Sequence, residues 1–227
     1  MRTSIKGLGG AYWGITLALF AAATAMAIFY APIEATMGPV QKIFYLHLPA
    51  AMCMFLATFV VFIASIGYIW TRRRLWDNLA HAAALVAVVF CTVVLVTGMI
   101  WARSAWGHWW TWSPRLTFSL ILWLLYVAYL ILRPSIDSPQ RRALVCAVYG
   151  AVAFLDVPLV YLSVKLLPDI HPASVALSAP MQQTLLFSFV PVTMVCGGLI
   201  WARFRAAERQ AGPDEEARIA GGVHLAP

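Results

Sequence analysis

The sequence predicts an all-α protein, a polytopic bundle of six transmembrane helices with both termini in the cytoplasm. Three observations predict this fold. Of the 227 residues, 62% are hydrophobic and only 11% are charged, and the mean hydropathy of +0.80 lies outside the range of soluble globular domains. The apolar residues form six long runs, each near the roughly 20 residues that a helix needs to cross a bilayer. The basic residues lie in short clusters at the ends of those runs.

The six apolar runs are the predicted transmembrane helices. Their approximate limits are residues 12–31, 43–70, 79–101, 116–132, 143–164 and 181–201. The first run follows Arg2 and Lys6, as a secretion signal would, but it is longer than the roughly 7 to 15 apolar residues of such a signal, so we expect a retained span. Residues 1–202 are therefore expected to form one membrane domain. The polar residues 203–227 bury little apolar surface and are expected to form a flexible cytoplasmic tail.

The distribution of Lys and Arg predicts the orientation, because cytoplasmic loops carry an excess of these residues. Twelve of the 16 lie on the side that holds both termini. The other side holds only Lys42, Arg103, Arg115 and Lys165. Both termini are therefore predicted to be cytoplasmic. The net charge of +7 is explained by these clusters beside lipid phosphates, so nucleic acid is not an expected partner.

A tryptophan-rich stretch, WGHWWTWSPR at residues 106–115, separates the third and fourth runs. It contains Trp106, Trp109, Trp110 and Trp112. The stretch is too polar to cross lipid, and indoles, which have an apolar face and one N–H donor, settle where membrane meets water. It is therefore predicted to form an aromatic surface on the outer side. Anchoring to the membrane is the alternative role, but four tryptophans within seven residues also indicate a binding surface.

Two histidines belong to separate elements on the outer side, so their imidazoles can face each other across this surface. His47 lies about one turn inside the second span, and His171 lies in the last outer loop. Haem iron takes imidazole ligands, its ring takes flat aromatic walls, and its propionates take Arg or Lys. His47 and His171 are thus candidate axial ligands, although a histidine near a helix end is more often an ordinary interfacial residue. The candidate propionate partners are Arg103, Arg115, Lys42 and Lys165.

Two other functional classes remain open on these residues. The membrane subunit of a small-molecule transporter would carry polar residues along its spans, but these are scarce apart from Asp156, for which a structural role is expected first. A b-type haem redox subunit would carry histidine pairs at both depths, but here the candidates lie on one side. A role for His108 beyond adding polarity to the tryptophan-rich stretch is not expected.

The residues also resemble a known family. The stretch WGHWWTWSPRLT is similar to the signature W-G-x-x-W-x-W-D-x-R-L-T of membrane proteins that handle haem for cytochrome c assembly. FYLHLPAAM, and VPLVYLSV followed by His171, resemble the other two recognisable stretches of the short six-span members, the haem exporter C family of bacterial cytochrome c maturation. Three matches in the right order, spread over most of residues 12–202, make the resemblance specific.

The resemblance implies a non-enzymatic protein of the bacterial inner membrane that holds haem b without a covalent bond, as cargo, on the periplasmic face. It implies delivery to a membrane-anchored haem chaperone, beside the membrane and ATPase subunits of an ABC-type transporter and a small single-span helper peptide. His47 and His171 match the family's iron ligands. The four tryptophans match those that hold the edge of the ring, and Arg115 matches a propionate partner.

One position departs from the family pattern. The usual aspartate after the last tryptophan is Ser113 here, and Pro114 follows it. A serine offers only a neutral hydrogen bond where a carboxylate could hold an indole N–H or an arginine. The geometry of the tryptophan-rich surface is therefore expected to differ from that of a typical member.

Overall fold

Within the described residues, six helical segments are long and apolar enough to cross a membrane, which confirms the predicted all-α fold with six spans. The computed structural model describes residues 2–167 and 177–223. The helices are α1 (Arg2–Ala25), α2 (Phe44–Thr71), α3 (Arg74–Trp106), α4 (Pro114–Leu132), α5 (Pro139–Ala153), α6 (Asp156–Leu166) and α7 (Ala179–Val223). A π-helical turn extends α1 (Met26–Tyr30), and short 3₁₀ helices precede α2 (Pro39–Ile43) and follow α4 (Arg133–Ser135). Five spans contain one α-helix each, and α5 and α6 together form the fifth span.

The fifth span was expected to be one continuous helix but is broken near its middle. Pro158 has no N–H to donate to the carbonyl of Phe154, four residues earlier, and its ring crowds that carbonyl. The Phe154 carbonyl accepts instead from the N–H of Val157, at 3.0 Å. The break separates α5 from α6, and Asp156 is buried at the first position of α6.

The helical hairpin α2–α3 forms the centre of the bundle. Arg72 adopts a left-handed backbone conformation with φ of 55°, and its N–H donates to the carbonyl of Tyr68 at 2.9 Å. This ends α2 and lets the chain turn into α3 within two residues. Small side chains let the two backbones approach closely. The buried alanines of this core are Ala50, Ala57 and Ala64 on α2 and Ala80, Ala83, Ala84 and Ala87 on α3.

Helix α1 runs antiparallel to α7. Near the start of α1, the Tyr12 hydroxyl donates to the carbonyl of Met194 at 2.6 Å. Just beyond α1, the Tyr30 hydroxyl donates to Oε1 of Gln183 at 2.6 Å. Since residue numbers rise along α1 as they fall along α7, the two helices cross the bundle in opposite directions.

The bundle therefore has two distinct ends. Asn78, near the start of α3, donates from Nδ2 to Oε1 of Glu208 at 2.6 Å, which brings the far part of α7 to the start of α3. We call this the arginine end and define it by Arg72, Arg74, Arg133 and Arg142. The opposite end, which holds residues 106–112, is the tryptophan end. The charge pattern predicts that the arginine end is cytoplasmic.

A buried ion pair joins α3 to the residue after α4. Arg133 donates from its two terminal nitrogens to the two carboxylate oxygens of Asp77, at 2.7 Å and 2.6 Å. The two residues are only 9% and 8% exposed. Both residues lie just outside the spans predicted from the sequence, residues 79–101 and 116–132. The pairing neutralises the two charges and lets Asp77 lie within α3.

Candidate functional site

A cleft at the tryptophan end brings together three of the predicted site residues, His47, Trp106 and Arg115. It lies between α2, α3, α4 and α6 and has a volume of about 220 Å³. Most of its remaining lining is apolar, including Phe44, Met54, Phe55, Val94 and Leu95. Pockets that enclose a drug-sized ligand measure roughly 300 to 1,000 Å³. The cleft therefore has room for part of a large flat ligand and leaves the rest outside.

Two residues of α3 hold the His47 imidazole in place. Its Nδ1 lies 2.8 Å from the Thr97 hydroxyl oxygen, and its ring meets the Trp101 ring edge to face, with centroids 6.1 Å apart. The Thr97 hydroxyl donates its one proton to the carbonyl of Val93, at 2.6 Å. A hydroxyl that donates to Val93 accepts from Nδ1–H, and in that arrangement the lone pair of the neutral imidazole lies on Nε2.

Sequence reasoning did not identify Thr97 and Trp101 as site residues. They are four residues apart on α3 and therefore share one face of the helix. Gly98 lies beside them, and a Cβ atom built there would lie 3.4 Å from Cε1 of His47, so the glycine permits the imidazole to approach α3 closely. The feature of the sequence that could have indicated a site here is the adjacent pair of Thr97 and Gly98 in an otherwise apolar run.

A tight turn positions the tryptophan-rich segment beside the cleft. Helix α3 ends at Trp106 because Gly107 adopts φ of 78°, a left-handed conformation that suits glycine. The Gly107 N–H donates to the carbonyl of Arg103 at 3.2 Å, and the Arg103 guanidinium donates to the carbonyl of Gly107. Arg103, a predicted propionate partner, thus holds this turn. Residues 107–113 then lead without regular structure into α4.

The four tryptophans of this segment have different environments. Trp106 is half-buried and lines the cleft. Trp109 and Trp112 are 60% and 75% exposed. Trp110 is half-buried and meets the Trp112 ring edge to face, with centroids 5.7 Å apart. The structure therefore brings Trp106 together with His47 and leaves the other three outside the lining of the cleft.

Three polar side-chain atoms in this segment are buried without a hydrogen-bond partner among the described residues. They are the Trp110 indole nitrogen and the Thr111 and Ser113 hydroxyl oxygens. Buried polar atoms in native proteins are nearly always hydrogen-bonded, to the protein, to water or to a ligand. Ser113 precedes α4, but its side chain does not cap that helix. The segment thus contains polar groups that a bound ligand or water would satisfy.

The other basic residues lie at different distances from the cleft. Arg115 is half-buried and lines it. Lys165 donates to the Tyr161 hydroxyl at 3.1 Å, and Tyr161 lines the cleft, so Lys165 adjoins it through one side chain. Lys42 instead donates to the carbonyl of Ile28, at 2.7 Å, outside the cleft. Arg115 is therefore the predicted propionate partner with direct access to the cleft.

Two other residues considered from the sequence, His108 and Asp156, do not line the described cleft. His171 falls within residues 168–176, outside the described residues. His108 is exposed just after the turn and is not among the residues that line the cleft. Asp156 lies one helical turn before Val160, which does line it, and Oδ2 of Asp156 is buried with no hydrogen-bond partner in the described ranges. Asp156 is thus one turn deeper in the bundle than the cleft wall.

Comparison with known proteins identifies the family. The sequence model of the heme exporter protein C (CcmC) family matches residues 4–214. The chain is 37% identical to a heme exporter protein C of Bradyrhizobium diazoefficiens over 146 residues, which are 64% of this chain and 56% of that relative. It is 32% identical to that of Escherichia coli K12 over 158 residues, 69% of this chain and 62% of the relative.

The chain thus spans less than two thirds of the length of these relatives. Because the family match includes all six spans and every described residue of the cleft, the chain belongs to the heme exporter protein C family.

Proposed function

We propose that this protein binds haem b non-covalently in the cleft at the tryptophan end and presents it to a membrane-anchored haem chaperone. The observation that carries the proposal is the convergence of His47, Trp106 and Arg115 on one cleft. The charge pattern supports a periplasmic position for this end. The family supports the other proposed partners, which are the membrane and ATPase subunits of an ABC-type transporter and a single-span helper peptide.

In this proposal His47 is an axial ligand of the haem iron. A neutral imidazole binds iron through the nitrogen that carries the lone pair, which is Nε2 when Nδ1–H donates to Thr97. Thr97 is then a positioning residue that fixes both the tautomer and the ring orientation. His171 is proposed as the second ligand on the strength of the family resemblance.

The other cleft residues would hold the porphyrin ring and its carboxylates. The apolar walls suit the faces of the ring, and the half-buried indole of Trp106 suits stacking against its edge. Arg115 can pair with a propionate, and the unpartnered donors at Thr111 and Ser113 lie in the same segment. Since the cleft accommodates only part of the ring, the remainder would stay accessible to a partner that takes the haem away.

The first test compares Trp106→Ala with Trp109→Ala, two identical changes in one segment. We expect haem affinity to fall about tenfold for Trp106→Ala, because ring contacts worth about 1.4 kcal/mol are lost. Trp109 is exposed outside the cleft, so Trp109→Ala should change the affinity less than about twofold. Haem titration of the purified proteins, followed by absorbance, measures both. A larger loss for Trp109→Ala would place the ring outside the cleft.

The second test removes the acceptor of the His47 Nδ1–H. We expect Thr97→Val to weaken haem binding by about 10- to 100-fold, the usual cost of losing a hydrogen bond that orients a metal ligand. Thr92→Val is the matched control on α3, because the Thr92 hydroxyl accepts from the Trp123 indole, at 2.9 Å, away from the cleft. Resonance Raman spectra should show a lower iron–imidazole stretching frequency in Thr97→Val only. An unchanged frequency and affinity would remove Thr97 from the site.

A further inference from the structure

We propose that a pocket at the arginine end binds the phosphate group of an anionic phospholipid. The pocket has a volume of about 470 Å³ and lies at the opposite end of the bundle from the cleft. Its walls come from the end of α2, the start of α3, the 3₁₀ helix after α4 and the start of α5. This inference does not depend on haem binding.

The lining of the pocket carries an excess of positive charge. It contains four arginines and one acid, which are Arg72, Arg74, Arg133, Arg142 and Asp77. Asp77 is committed to Arg133 through both of its oxygens, so these two charges cancel. The described residues form no further ion pair within 4.0 Å. Three guanidinium groups therefore line the pocket without an ion pair among the described residues, and the other acid nearby, Glu208, is bound to Asn78 of the lining.

Other polar groups around the pocket also favour the binding of an anion. Nε of Arg142 is buried and has no hydrogen-bond partner among the described residues. A buried donor on a charged group is costly unless it is paired. The start of α3 also faces the pocket, and its N-cap residue, Arg73, makes no side-chain capping bond. The backbone N–H groups of that first turn add a positive partial charge.

A lipid head group is the phosphate source that best fits the location. The pocket lies where several membrane spans end, and Trp70, two residues before Arg72, is 81% exposed, as expected of an indole at the level of the head groups. One guanidinium group can donate two parallel hydrogen bonds to the oxygens of a phosphate. Basic pockets between transmembrane helices recognise anionic head groups. Tyr68 and Ala143 add apolar surface for the glycerol end of a lipid.

The test compares two double variants that remove equal charge from neighbouring positions. Arg72→Asn with Arg142→Gln removes two arginines that line the pocket, and asparagine tolerates the left-handed backbone at position 72. Arg73→Asn with Arg141→Gln is the control, because these exposed arginines are next in sequence but do not line the pocket. Native mass spectrometry of the purified proteins in micelles with equal phosphatidylglycerol and phosphatidylcholine measures the lipid that each retains.

We expect the wild type and the control to retain phosphatidylglycerol in preference to phosphatidylcholine. In the pocket variant, the ratio of retained phosphatidylglycerol to retained phosphatidylcholine should fall at least tenfold. Equal losses in both double variants would show a general effect of surface charge and overturn the proposal. If inorganic phosphate displaces the lipid at equal concentration, the site is one for free phosphate and the lipid assignment fails. Arg74→Gln, a single change at an exposed lining residue, provides the same comparison if the double variant does not fold.

Discussion

Purified His47→Ala protein is expected to retain less than about one tenth of the haem that the wild type retains. The substitution removes the imidazole from the cleft and leaves the apolar walls, which would hold the ring in our proposal but have no group to bind its iron. A tenfold loss corresponds to about 1.4 kcal/mol of binding free energy, which is a small contribution for a bond between a ligand and a metal. The pyridine haemochrome assay measures the haem per protein.

His108→Ala is the matched control for this prediction. His108 belongs to the tryptophan-rich segment and is exposed outside the lining of the cleft. The His108→Ala variant should therefore retain haem at the wild-type level. Equal retention by His47→Ala and His108→Ala would remove His47 from the set of iron ligands, whatever the role of His171.

The largest expected effect on stability comes from breaking the buried ion pair. Asp77→Leu leaves the Arg133 guanidinium buried without its partner, and Arg133→Met does the same to the Asp77 carboxylate. Each single change should lower the free energy of unfolding by about 3 to 5 kcal/mol, since an uncompensated charge is left in a poorly solvated site. Thermal unfolding in detergent, followed by circular dichroism, measures the change.

The double variant Asp77→Leu with Arg133→Met separates pairing from packing. It removes both charges together, so most of the lost stability should return. This recovery is expected because an apolar pair of similar volume needs no compensating charge. If the double variant is as unstable as the sum of the two single variants, the side chains contribute through packing and not through their charges.

The sequence predicted the six spans because hydropathy directly reports which segments suit a bilayer. It misjudged the start of the third span because a hydropathy window treats Asp77 as a polar end, whereas in the folded chain Arg133 neutralises it. The break in the fifth span was also missed. Pro158 was visible, but a proline within an apolar run can either bend a helix or interrupt it, and neighbouring helices decide which occurs.

The candidate site was predictable where it follows a local motif. His47, Trp106 and Arg115 were selected from sequence stretches, and the structure places them on one cleft. The contribution of Thr97 was not predictable, because it depends on how α2 packs against α3. The unequal exposure of the tryptophans was not predictable, because Gly107 in the sequence marks the end of α3 but does not fix the path of residues 107–113 after it.

Imidazole rescue of the His47→Gly variant tests the central claim most directly, because it asks whether an imidazole at this position binds the iron. The purified variant is titrated with imidazole in the presence of haem, and the Soret band of the bound haem is followed by absorbance. We predict that the variant alone lacks the wild-type band and that imidazole restores it in a saturable manner. A wild-type band without added imidazole, or no response at any concentration, would contradict ligation of the iron by His47.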